Sequence, residues 1–569
     1  MANSPSATSV DKFAADGGVT TNVIAVSLPD LELCLAPRPT RPMSCVTSVF
    51  RGSRMSKTID VELDEIQGNS LGGFNKDYQA NLFLRFRDAG RDWVAEITNE
   101  IWDSSSADVI QFNNQFSALR RQGVKNPESI ISAVWVNLAF SWQGLKALGI
   151  PDAELQNFPD DFKTGMKGRA GIIGDVGNSA PNNWLDPFKD PANIHALLIV
   201  AADHSQELAQ KVHDVTRTAK FNAGVEVVFS QPGITRLDQP GHEHFGFKDG
   251  ISQPGVRGVD PPDDPIGNPN QGHPGQDLLW PGEFVLGYAT QISDTDPNFD
   301  GPNPEPGDDS KSGPDWTKNG SYLVFRRLRQ DVPAFNQMTS ELASKLKIST
   351  DLIGAKLVGR YKSGAPIEQR KFQPGPYTPP SVDPGDPNAG NPAFGNDSSL
   401  NNNFEFGDDA DGHFCPVSAH IRKAYPRDEV TPDGAPHSES STQTHRILRR
   451  GIPYGAPFVP HDPDSAKVDR GLLFLCYQNS IERHFEYIQR NWVNATTFPP
   501  DDKKAQGAPN LLADPGPDPI IAQVPEGETL IDPKAPPIKV QHFVQTTGGE
   551  YFFSPSISAL NRIGANQPL

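Results

Sequence analysis

Cysteine is scarce in this chain, with four in 569 residues. Cys34 and Cys45 lie in an unusual N-terminal stretch, and Cys415 and Cys476 stand alone among apolar residues. No Cys-x-x-Cys occurs, so zinc and iron–sulfur sites have no support, and nothing requires a disulfide. Positive charge is also short: 51 Lys and Arg stand against 70 Asp and Glu, a formal charge of −19. A pI near 5.1 argues against a nucleic-acid partner, whose phosphates call for a basic surface. No run approaches the ~18 apolar residues of a membrane span, and mean hydropathy is −0.49, so a soluble protein with no membrane partner is expected. The start, MANSPSATSVDKFAADGG, lacks a basic segment followed by an apolar core. A secretory signal is therefore not expected, Asp11 and Asp16 fit a transit peptide poorly, and the cytoplasm is the expected compartment.

Glycine and proline, by contrast, are plentiful, at 50 and 54 residues. They cluster, which predicts long ordered loops rather than a low-complexity chain. Residues 1–57 lack a steady apolar period and read as a flexible tail. Beyond them, Asn81–Phe86, Val134–Phe140, Ala196–Ala201 and Val225–Phe229 read as strands. A short helix over Leu145–Leu148 and an amphipathic helix over Gln206–Ala219 lie between them. A second series follows the loop after Pro254, which is too rich in Pro, Gly and Asp to be expected to pack: strand Ser321–Arg326, helix Val332–Leu346, strand Leu472–Cys476 and helix Ile481–Trp492. Phe543–Gln545 and Gly548–Phe553 read as a hairpin. This order predicts an α+β layer, an antiparallel sheet with helices on one face.

Among 13 histidines, His195, His204, His213, His484 and His542 lie on or beside regular elements, where solvated or core positions explain them. His242 and His244 could touch a metal but have no third ligand nearby in sequence. His420 differs by context. Pro416 can start a helix and Pro426 must end one, which suits an imidazole whose ring has to be held. Cys415, just before Pro416, is a rival ligand by residue type. Asp249 lies in Gly246-Phe247-Lys248-Asp249-Gly250-Ile251-Ser252-Gln253-Pro254, where glycines and a proline would hold one carboxylate beside Phe245 and Phe247. An Asp-Gly turn is the plain alternative.

Several of these strings resemble the dye-decolorizing peroxidases, a haem enzyme family. Gly246–Gly250 is similar to its GxxDG signature, and EHFGFKDGISQPGVRG to its larger members. Leu63–Asn69, with Glu65-Ile66-Gln67-Gly68 near its end, resembles the family's N-terminal D-I-Q-G segment, and Cys415–Arg427 its histidine motif. RRGIPYG, from Arg449 to Gly455, resembles a further motif. The resemblance covers residue 60 onward. It implies two ferredoxin-like halves, 58–260 and 261–569, with antiparallel sheets facing each other as in a dimeric α+β barrel and haem in the C-terminal half.

The same resemblance implies roles. His420 would bind the iron of one haem b per chain, tuned by Asp518 on its other ring nitrogen. Asp249 would move the peroxide proton and Arg449 would stabilise developing charge. Arg450 is the alternative to Arg449 in that role, and otherwise a surface or propionate contact. Leu472 and Phe474, two apart on one strand, share a face and would wall the pocket. Arg360, in Gly359–Pro366, would meet a propionate, and Cys415 would be structural. Tyr454 and Trp492 would be surface radical sites for donors too large for the pocket. The expected activity is a haem peroxidase using hydrogen peroxide on dyes, phenols and other aromatic one-electron donors. A haem carrier or iron-releasing protein on the same fold, or a non-catalytic binding protein, are the alternatives.

Overall fold

The computed structural model describes residues 59–293, 304–368, 390–429, 439–499, 514–524, 527–531 and 536–569. The expected tail, residues 1–57, lies outside them. Thr58–Leu569 forms one compact unit, and the boundary expected at residue 260 runs through it.

Four strands build the first half: β1 (Tyr78–Phe86), β2 (Val134–Phe140), β3 (Ala196–Ala202) and β4 (Val225–Ile234). They pair antiparallel in the order β4-β1-β3-β2. The second half uses β5 (Ser321–Gln330), β6 (Leu448–Arg449), β7 (Ile452–Tyr454), β8 (Gly471–Gln478) and β9 (Val544–Ser554). Its order is β9-β5-β8-β6, with β7 also on β8. With β6 and β7 counted as one interrupted strand, since both pair with β8, the second series repeats the 4-1-3-2 order of the first, the arrangement expected of two ferredoxin-like halves. Phe553 on β9 bridges to Phe140 on β2 and joins them into one nine-stranded sheet.

The two halves face each other across an aromatic core. The Phe83 ring on β1 lies 4.9 Å from Phe325 on β5 and 6.3 Å from Phe552 on β9. At the far edges, a Cβ on Gly233 of β4 would come within 2.5 Å of Ile452 Cγ2 on β7. Glycine is what lets the two edges approach there. Every residue of β3 is buried, which is why its sequence is a continuous apolar run rather than an alternation. Helices cover the outer faces. In α1 (Gly90–Trp102) the buried Trp93, Val94, Ile97 and Ile101 recur at helical spacing. In α2 (Val332–Leu346) Asp331 accepts a hydrogen bond from the Ala334 amide, closing the first turn. Among the described residues no helix is long and apolar enough to cross a membrane.

Four elements differ from expectation. The C-terminal hairpin is a single bulged strand, β9, with its irregularity between Thr546 and Gly548. Gly548 and Gly549 are packing positions rather than turn residues: a Cβ would fall 2.4 Å from Phe188 Cδ2 and 2.2 Å from Met166 Sδ. The helix from Gln206 stops at Thr216, because the Thr218 side chain caps a new helix, Ala219–Gly224. The helix over Ile481–Trp492 is wound wide, with Glu486 N bonded to Ile481 O at 3.0 Å and Asn494 N to Gln489 O at 3.0 Å. Such i→i+5 turns gather at functional sites, and this one borders the cavity described below. The loop after Pro254 also packs: Gly255–Val256 pairs in parallel with Leu278–Leu279.

Candidate active site

The segment Glu243–Gln253 is folded by its own backbone chemistry. The Glu243 carboxylate accepts from the Phe245 and Phe247 amides at 2.7 and 2.8 Å and from Gln330 Nε2. Burial raises the Glu243 carboxyl's pKa, and these donors offset that only in part. Gly246 and Gly250 take φ of +94° and +78°, values that residues with a Cβ resist. Between them Lys248 N bonds to Lys362 O, and Asp249 N to Gly241 O. The Asp249 carboxylate therefore has a fixed origin.

Arg449 ends β6 and reaches that carboxylate. Its Nη1 donates to Asp249 Oδ1 at 2.9 Å, and its Nη2 to the Ser252 carbonyl at 2.8 Å. Burial acts to raise the Asp249 pKa, but the Arg449 charge and the Gly250 amide outweigh it and hold the group below the ordinary carboxylate range. Its side chain is 38% exposed and lines two cavities. Arg450 points elsewhere: it donates to the Asn69, Ser70, Leu71 and Arg449 carbonyls. It binds the end of the N-terminal motif to β6 and is neither a surface residue nor a wall of the main cavity.

His420 opens a short helix, α3 (His420–Ala424). Pro426 follows it as expected, while Pro416 starts only the preceding turn, its carbonyl accepting from Ala419 N. Gly359, at φ +96°, lets the chain pass close by: a Cβ there would lie 2.3 Å from Ile421 Cγ1. His420 Nδ1 is 2.8 Å from Asp518 Oδ2. Asp518 is fully enclosed and its Oδ1 accepts from the Ile520 and Ile521 amides. Burial would lower the His420 pKa, yet the Asp518 charge and hydrogen bond raise it above the usual value. Nδ1 is thus the bonded nitrogen, and among the described residues Nε2 has no partner.

Asp249, Arg449, His420, Leu472, Phe474 and Arg360 all line one cavity of about 250 Å³. The sequence-expected set is brought together, apart from Asp518, which stands behind His420. Leu472 and Phe474 share the inward face of β8 while Leu473 and Leu475 are buried behind them. Cys415 is fully buried and absent from this wall, with its thiol pKa pushed well up by burial, so it is structural. Arg360 is 4% exposed. Its guanidinium bonds the Gly364 and Asn401 carbonyls and Asn402 Oδ1. Among the described residues no carboxylate pairs with it, and burial with the nearby Arg427 and Arg449 charges holds its pKa down to about 9. A second cavity, of about 540 Å³, shares Glu243, Asp249, Gly250, Pro254, Arg449 and Leu472 with the first, so the ion pair stands where the two meet.

The two expected surface aromatics are not at the surface. Tyr454 and Trp492 are 2% and 1% exposed, because Tyr454 lies under Arg327 (4.1 Å) and Trp492 packs on Phe498 (5.8 Å). His242 and His244 contact different carbonyls, Lys362 O and Tyr454 O. No group of three potential ligands surrounds them or any other point among the described residues. Sequence reasoning missed Glu243 and the role of Gln253, whose side chain bonds both backbone groups of Arg449. Gln253 was visible only as part of the motif string, and Glu243 carries no local signal.

Two family models match the chain: a DyP dimeric alpha+beta barrel domain over residues 65–240, and a Dyp-type peroxidase C-terminal domain over 300–502. The GxxDG segment lies between the two. The dye-decolorizing peroxidase msp1 of Mycetinis scorodonius is 31% identical over 558 residues, covering 94% of this chain and 93% of its own. A dye-decolorizing peroxidase of Exidia glandulosa is 33% identical, covering 87% and 86%. A solved dye-decolorizing peroxidase in complex with 2,6-dimethoxyphenol superposes with a TM-score of 0.68 at 31% identity, covering 89% of this chain and all of that one. With matching domains at both ends, relatives along nearly its whole length and a site built on the same motifs, the chain belongs to the dye-decolorizing peroxidase family.

Proposed function

We propose that this protein is a haem peroxidase that uses hydrogen peroxide to oxidise dyes, phenols and other aromatic one-electron donors. The observation that carries this reading is the placement of Asp249 and Arg449 in the same cavity as His420. The family is haem-dependent, and the residues here fit that group. His420 offers an imidazole Nε2 with no partner among the described residues, its other nitrogen fixed by Asp518. Leu472, Phe474, Ile521 and Val544 supply apolar walls. Arg360 is a buried cation beside the cavity without a carboxylate partner among the described residues, and buried charges are normally paired; a haem propionate would supply one. We assign haem b, one per chain, to this site.

When bound, haem would supply the two-electron reduction of peroxide and its recovery in one-electron steps. The chain's residues do the rest. Asp249, kept ionised by Arg449, accepts a proton from one peroxide oxygen and returns it to the other, which departs as water. This is general acid–base catalysis, worth on the order of 10²–10⁴-fold. Arg449 stays charged and places donors where negative charge grows as the O–O bond breaks. Asp518 fixes the His420 ring and raises its basicity.

The test is to prepare the protein with haem and record its Soret band before and after one equivalent of hydrogen peroxide. Rapid change in the parent, lost in Asp249→Asn and Arg449→Leu, supports the peroxidase. Stable haem without rapid change supports the carrier alternative, and absence of a Soret band in folded protein overturns both.

A further inference from the structure

Arg449 occupies an exposed position in the sheet. It ends the two-residue strand β6, at the sheet's edge and paired among the described residues only with β8, and its side chain is 28% exposed. Edge strands leave one row of backbone donors and acceptors without a neighbouring strand, and such groups need partners when enclosed. Arg450 N turns inward to Leu475 O at 2.7 Å, so the N–H and C=O of Arg449 point outward. Gln253 closes both. Its Oε1 accepts from Arg449 N at 3.2 Å, and its Nε2 donates to Arg449 O at 2.7 Å. One primary amide thus takes the place of a further strand.

The same segment also holds the guanidinium. Asp249 and Ser252, four and one residues before Gln253, accept from Nη1 and Nη2 of Arg449. Backbone and side chain of Arg449 are therefore referenced to one stretch of five residues that also carries the carboxylate. Without the amide, the guanidinium contacts and the Arg450 Nη1 bond to Arg449 O would remain, but Arg449 N would lose the bond that ties the backbone to the Asp249 segment. A displacement of about 1 Å in a positioning group can cost on the order of 10²-fold in rate.

We propose that Gln253 is a positioning residue, which sets Arg449 against Asp249 by clamping the Arg449 backbone and itself touches neither peroxide nor cofactor. The proposal rests on the peroxidase reading for its kinetic consequence, and on geometry alone for its structural one.

The experiment uses the full chain carrying Gln253→Leu, with Gln253→Glu as the partial rescue. Glutamate keeps the acceptor for Arg449 N but has no donor for Arg449 O. Each is measured for kcat/KM towards peroxide, for KM of a small phenol, for melting temperature, and for the Arg449–Asp249 geometry in haem-free crystals. Gln253→Leu is expected to lower kcat/KM for peroxide about 10–100-fold, the usual range for such supporting contacts. The KM for the phenol stays unchanged, the 2.9 Å contact opens, and Gln253→Glu recovers part of the rate. Rate loss with Arg449 unmoved, movement without rate loss, or a peroxide kcat/KM within about twofold of the parent each overturn the proposal. If the parent itself fails to react with peroxide, the peroxidase reading falls, and the crystals alone then decide the role of Gln253.

Discussion

Asp518 Oδ2 lies 2.8 Å from His420 Nδ1 while its second oxygen accepts the Ile520 and Ile521 amides, so the carboxylate cannot turn away from the ring. A carboxylate on the far nitrogen makes the imidazole a stronger ligand and fixes its orientation. Asp518→Asn keeps the shape and removes the charge. It is expected to weaken haem retention or peroxidase activity about 10–100-fold. Haem transfer to an acceptor globin and the reduction potential, which should rise, check this.

The pH dependence follows from the Asp249–Arg449 pair. Asp249 accepts a proton only when ionised, so activity is present above its pKa and lost as pH falls through it. Arg449 and the Gly250 amide hold that pKa below the ordinary carboxylate value, against burial, which raises it. The acid limb of kcat/KM for peroxide should therefore lie below the ordinary value of about 3.9. In Arg449→Leu the burial effect is left less opposed, and the limb moves up. A limb that stays in place in this variant would remove Asp249 as the titrating base. Asp249→Asn should cost on the order of 10²–10⁴-fold at every pH.

For donors too bulky for the cavity, electron transfer through the protein is the expected route, and Trp492, though buried, is expected to serve it better than Tyr454. The Arg327 guanidinium sits 4.1 Å from the centre of the Tyr454 ring, and a cation there makes electron removal costlier. Trp492 has no such cation among the described residues. It lies 5.5 Å from both His445, which lines the cavity, and Tyr487, and these two rings stack at 3.7 Å. Trp492→Phe is expected to reduce kcat/KM for a large dye strongly while sparing a small phenol, whereas Tyr454→Phe leaves both near the parent. Steady-state kinetics with the two donors checks the contrast.

What was legible in the sequence was mostly what is local. The strands Val134–Phe140 and Ala196–Ala202 declare themselves as short apolar runs, and the helix Val332–Leu346 by apolar period and punctuation. His420 stands out because prolines bracket it. Gly548 and Gly549 misled, since a glycine pair that admits Phe188 and Met166 looks in sequence like a pair that turns. Burial of Tyr454 and Trp492 was equally hidden, because what covers them comes from Arg327 and from Phe498, neither of them a neighbour in the same turn. Assembly of Asp249, His420 and Arg449 from segments some 170 and 29 residues apart (249, 420 and 449) is set by the tertiary fold. Only the family resemblance made it readable in advance.

Arg360 offers a test that separates cofactor binding from folding. Its guanidinium is almost fully buried, bonded among the described residues only to neutral acceptors, and held down to about 9 by burial and by Arg427 and Arg449. A buried cation without a carboxylate is a cost to the haem-free protein, and a propionate would offset it. Arg360→Met keeps the stem of the side chain and removes both the charge and its hydrogen bonds. The haem-free variant is expected to melt no lower than the haem-free parent, while the haem-loaded variant loses much of the stabilisation that haem gives the parent. Melting curves of the four species decide it. Equal haem stabilisation in parent and variant would mean that Arg360 serves the Asn401–Asn402 loop alone, and the propionate would have to be sought elsewhere on the cavity wall.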